Sequence, residues 1–111
     1  MASALRAISG EALTLPLWEV GLLRGLVRSD LRSQLGEPAY VETDTHRTYG
    51  GDEDWWFYAT STGASIAICL RVPYRDVAVY VSDPAPATID EALAVLRPHE
   101  VERYEQPFLR R

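Results

Sequence analysis

The chain has 111 residues, 47% hydrophobic and 24% charged, a length that suits one domain and an apolar fraction that excludes a disordered polymer. Sixteen acidic residues against eleven basic ones give a net charge of −5, which sets the chain as a whole against nucleic acid and anionic membrane surfaces. No apolar run approaches the ~18 residues of a membrane helix, the first residues lack the basic-then-apolar order of a secretory signal, and the single cysteine, Cys69, excludes an internal disulfide, so the expectation is a single soluble cytoplasmic domain.

In chain order, Glu11 to Leu15 alternates weakly and reads as a short edge strand before Pro16. Between residues 17 and 35, Trp18, Leu22 and Leu26 recur at four-residue spacing, as do Leu23, Val27, Leu31 and Leu35, the stripe of an amphipathic helix. Gly21 and Gly25 each weaken such a helix by ~1 kcal/mol. Its end is better defined: Ser29 suits an N-cap, Asp30 favours the positive helix terminus, and Gly36 with Pro38 stops it. A helix is predicted from about Ser29 to Leu35, its upstream start left open.

Beyond Pro38 the period becomes that of strands. Tyr40–Tyr49, Trp55–Thr60, Ala64–Val72 and Val77–Val81 are separated by Gly50-Gly51-Asp52, Ser61-Thr62-Gly63 and Pro73-Tyr74, and short connections predict a four-stranded antiparallel meander. Thr88 with Glu91 matches a capping box that opens a helix running through Leu96 and stopping before Pro98. The tail from His99 to Arg111 is charged and interrupted by Pro107, and is predicted to lie extended along the body or to fray at its end. The fold class expected is therefore α+β, a four-stranded antiparallel meander sheet packed with an N-terminal and a C-terminal helix.

The densest chemistry lies between Glu42 and Tyr58: carboxylates at Glu42, Asp44, Asp52, Glu53 and Asp54, interleaved with Tyr49, Trp55, Trp56 and Tyr58. Strand alternation sends Trp55 and Phe57 one way and Trp56 and Tyr58 the other. Aromatics on a wet sheet face beside carboxylates make an anchor and rim for a protein partner; the plainer alternative is a sheet covered on both faces, by helices or by the N-terminal segment. Asp44, His46, Asp52, Glu53, Asp54 and His99 are types that bind divalent ions, but no spacing matches a metal signature, and no metal or cofactor is expected. Cys69 sits mid-strand without a histidine nearby in sequence, as a small hydrophobe does, so no catalytic residue is assigned and no enzyme is expected.

The stretch from Gly25 to Pro38, a short helix ending in Leu35-Gly36-Glu37-Pro38 and followed by a meander carrying Trp55-Trp56, is similar to the helix-plus-sheet modules of small outer-membrane assembly lipoproteins and of the β-lactamase inhibitory protein. More broadly, a small acidic α+β chain with aromatics among its carboxylates resembles the immunity proteins of contact-dependent and type VI secretion systems. That resemblance implies a cytoplasmic protein that binds a cognate bacterial toxin one to one and occludes its active site. The contacts expected are Glu42, Asp44, Asp52, Glu53, Asp54, Trp56 and Tyr58. The alternatives are a module that self-associates, for instance through a sheet edge, and a small hydrolase.

Overall fold

The computed structural model describes residues 5–43, 52–71, 76–98 and 100–110. Ile66, Ile68 and Leu70 point to one side of β5 (Ser65–Arg71) and Ala67 and Cys69 to the other, and none is more than 1% exposed. A strand with both sides dry must lie inside a wide sheet. Its neighbours are β4 (Glu53–Ala59) and β6 (Asp76–Val81), paired through Trp56↔Ile68 and Ile68↔Val79.

Among the described residues the sheet has seven strands, all pairings antiparallel, which corrects the expected four-stranded sheet with a helix before and a helix after it. The order is β1-β4-β5-β6-β2-β7. β1 (Arg6–Ala7) and β3 (Tyr40–Glu42) share the outer edge of β4, the first against Tyr58 and Ala59, the second against residues 53 to 55. The pairs β3·β4, β4·β5 and β5·β6 do follow one another as a meander; β1, β2 and β7 are what the expectation lacked. Of the strand predicted over Tyr40–Tyr49, Tyr40–Glu42 is β3 and residues 44–49 lie outside the described residues. The edge strand expected at Glu11–Leu15 is instead a 3-10 turn over Gly10–Ala12, with β1 before it.

Residues 17–24, whose spacing suited a helix, form β2 (Leu17–Arg24) between β6 and β7. A bulge between Glu19 and Gly21 breaks its alternation, and strands covered on both faces show apolar runs without a clean period of two. Gly21 is required by close approach: a Cβ there would lie 2.4 Å from the Glu102 carbonyl oxygen and 3.1 Å from Leu93 Cδ2. The tail becomes β7 (Glu100–Arg110), an eleven-residue strand of which residues 100–103 and 108–110 pair with β2, from Arg24↔Glu100 to Leu17↔Arg110. Its register jumps from Gly21↔Arg103 to Glu19↔Phe108, so the intervening residues, Pro107 among them, bow out of the ladder, where a proline's missing N–H costs no strand bond.

Both helices lie on one face. α1 (Arg28–Leu35) begins one residue before the expected cap: the Asp30 carboxylate accepts the Val27 N–H at 2.9 Å, so Ser29 lies inside the first turn. Gly36, at φ +83°, ends it. α2 (Pro86–Leu93) starts at a proline whose φ is already helical, and Ile89 N–H reaches Ala85 C=O at 3.0 Å. Thr88, the expected cap, is a buried residue of the first turn. With Leu31 of α1 and Ile89, Ala92 and Leu93 of α2 the helices cover Val20, Leu23, Trp56, Ile68, Leu70 and Val79. The opposite face carries Leu17, Trp55, Phe57, Ala67, Cys69, Ala78 and Tyr80, with Ile8 and Leu13 of the N-terminal segment packed on it. No helix among the described residues is long and apolar enough to cross a membrane.

Candidate functional site

The acidic and aromatic segment singled out above does not form one surface. Asp54 points to the helix face and is wholly buried; Arg28 grips it with two hydrogen bonds of 2.7 and 2.8 Å, and Arg32 lies 3.7 Å away. Those bonds to Asp54, opposed by desolvation, raise the Arg28 pKa further above its ordinary value, so the guanidinium stays charged. Trp56 is 2% exposed in the helix-side core, and its indole N–H donates to the Gly36 carbonyl at 3.1 Å. Tyr58 is half-buried against the same core, and burial raises its pKa. Asp54 and Trp56 are thus closed to a docking partner.

The remaining carboxylates lie at one end of the sheet. Asp52 is half-buried, 3.8 Å from Arg28. Glu53 is buried on the face opposite the helices, paired in register with Arg71 on one side and Glu42 on the other. Glu42 is half-buried and accepts a hydrogen bond from the Tyr40 hydroxyl, which raises the Tyr40 pKa. Asp44, with Tyr49, His46 and His99, lies outside the described residues.

Register carries this row across the whole sheet. Cross-strand partners share a face, and the sequence of partners runs Glu42, Glu53, Arg71 on β3, β4 and β5. The pairing of Leu70 with Val77 brings Arg71 beside Asp76, and Asp76 then pairs with Arg24 and Arg24 with Glu100. At the β7 end one guanidinium serves three carboxylates: Arg24 contacts Asp76 at 3.2 Å, Glu100 at 3.3 Å and Glu102 at 2.5 Å. The hydrogen bond to Glu102, with the charges of Asp76, Glu102 and Glu100, raises the Arg24 pKa. All four side chains are more than a third exposed.

Beside this cluster Tyr104 donates to Glu19 at 2.6 Å, and Arg71 approaches the other oxygen of Glu19 at 3.9 Å. Burial first, then the bond to Glu19, pushes the Tyr104 phenol well above its usual value, so it is a fixed donor and not a proton carrier near neutrality. Its ring meets Phe108 edge-on at 5.2 Å, and Phe108 is 61% exposed. On the helix face Arg103 of β7 pairs with Asp90 of α2.

Glu19, Arg24, Glu100, Glu102 and Tyr104 were not among the residues the sequence singled out. The alternation Glu100-Val101-Glu102 was the available signal, obscured by Pro107 and by the helical spacing of residues 17–35. Among the described residues no group of three or more metal-ligating side chains could hold an ion. Cys69 is buried mid-strand among Ala67, Ala78 and Tyr80. Set against family models, curated proteins and solved structures, the chain matches none, and the functional reading rests on its own residues.

Proposed function

We propose that this protein is a stoichiometric binding protein of the immunity type, which neutralises a cognate bacterial toxin by occluding a basic cleft with the acidic end of its sheet. One observation carries the reading: among the described residues Arg24 is ringed by Asp76, Glu100 and Glu102, all partly in water at the sheet margin. A single guanidinium against three carboxylates leaves surplus negative charge, and such a surplus speeds the approach of a cationic surface and opposes wrong partners. Glu42 and Asp52 extend the same end of the molecule towards its other edge. The exposed ring of Phe108, beside Tyr104 and paired with Glu19 further along β2, supplies an apolar anchor flanking the acidic end.

The test is co-purification with the inactivated product of the gene next to its own, followed by a growth assay with the active form. A one-to-one complex that restores growth is the expected result. A neighbour that neither binds nor poisons cells would remove the toxin-neutralising reading.

A further inference from the structure

β7 is the last strand of the sheet, and among the described residues no strand lies beyond it. Along an antiparallel strand the backbone groups of successive residues point alternately to the two neighbours. The Glu102 carbonyl faces β2 beside Gly21, so Val101 and Arg103 present their N–H and C=O groups outward, four hydrogen-bonding groups in a row. The stretch ends where residues 104–107 bow out between the Arg103 and Phe108 pairings.

Side chains define what could lie there. Glu100 and Glu102 stand on the face opposite the helices, their side chains 67% and 46% exposed, and Val101 stands on the helix face, 48% exposed. Arg103 is already paired with Asp90, and the one guanidinium that the two acids do contact, Arg24, is shared with Asp76, so negative charge remains in excess. A strand laid beside β7 would set two residues, spaced i and i+2, against Glu100 and Glu102, with the residue between them against Val101.

A second copy of the chain fits poorly. Two-fold antiparallel pairing centred on Val101 sets Glu100 against Glu102; centred on Glu102 it sets that carboxylate against its own copy; centred on Arg103 it brings two guanidiniums together. Like charges directly opposite are destabilising. We infer that the outer edge of β7 from Glu100 to Arg103 accepts an extended segment of a protein partner, basic–apolar–basic in sequence, as an added strand. This rests on the binding-protein reading and names its mode: backbone bonds supply affinity and the alternate basic side chains supply choice.

The probe is a capped hexapeptide of alternating arginine and valine, titrated into the intact protein and followed by amide NMR and hydrogen exchange. Binding is expected to slow exchange at Val101 and Arg103 by about tenfold or more at saturation. A glutamate–valine peptide should not bind. An arginine–valine peptide N-methylated at alternate residues, which keeps the charge and removes backbone donors, should bind about tenfold more weakly. Equal binding by the N-methylated peptide, or exchange unchanged at Val101 and Arg103, would overturn the added-strand geometry. Glu100→Gln with Glu102→Gln, exposed changes that spare the fold, should abolish the preference for arginine; a retained preference counts against the proposal. A toxin neutralised by a protein whose edge fails these tests would leave the function standing and refute this mode alone.

Discussion

Two arginine–carboxylate clusters lie at opposite margins of the same sheet, and their centres differ: one buried carboxylate held by two arginines, which also reach Asp52 and Glu37 nearer the surface, against one arginine among three wet carboxylates. Under α1, Asp54 is fully buried and receives two arginines, Arg28 by a bidentate bond and Arg32 at 3.7 Å. At the β2·β7 margin one arginine, Arg24, receives three carboxylates, and every member is wet. A buried charge is tolerated only when it is compensated at its own site. A surplus, by contrast, persists only where water can solvate it. The inner cluster therefore fastens α1 to β4, whereas the outer one leaves charge for a partner to meet.

The sharpest way to break this contrast is to delete the two arginines separately. Arg28→Ala strands a carboxylate that has no exposure and only the more distant Arg32 left, and is expected to cost about 3 kcal/mol, near the lower end for a broken buried pair. Arg24→Ala removes contacts among solvated, salt-screened groups and should cost far less than Arg28→Ala. Urea denaturation of both variants measures the difference; equal losses would mean that the two clusters do the same structural work.

Gly21→Ala tests whether the outer cluster depends on the β2·β7 ladder. A methyl group 2.4 Å from the Glu102 carbonyl must push β7 away, at an expected cost of about 1–3 kcal/mol. Amide exchange should then quicken along β7, where Glu100 and Glu102 reside, while the α1 amides keep their protection relative to global unfolding. Uniform loosening of both regions would show that the margin and the helix face unfold as one unit.

The same contrast explains what could be read without coordinates. β5 and β6 were legible because Ile66, Ile68, Leu70 and Val77, Val79, Val81 keep strict alternation. β2 was not: it carries apolar residues on both faces and is bulged at Glu19, so Trp18 and Leu22, with Leu26 just beyond the strand, imitate helical spacing. β7 was missed because an edge strand exposes its side chains and its composition resembles a solvated tail. The carboxylates at 52 to 54 were legible as a cluster, but Asp54 was not legible as an interior residue, since its partner stands 26 positions away and on the other face of the alternation from Glu53. Three dimensions decide which acid is compensated.

Tyr104→Phe sharpens the comparison at the smallest scale, because the tyrosine ties the bowed segment of β7 to Glu19 without altering net charge at neutral pH. Losing its 2.6 Å bond should cost about 1 kcal/mol. The pH dependence carries more information. The phenol pKa is raised in the folded protein, so the folded state holds this proton more tightly than the unfolded chain does. Its contribution is fully present below the ordinary tyrosine value of about 10 and is lost progressively as the pH climbs above it. Tyr40 and Tyr58 are raised as well, so the variant should retain an alkaline decline but a shallower one than the parent. Stability measured by urea titration from neutral pH to beyond the tyrosine range resolves the two slopes. If they are identical, the hydroxyl of Tyr104 is as free in the folded protein as in the unfolded one, and its bond to Glu19 does not tie down the bowed segment.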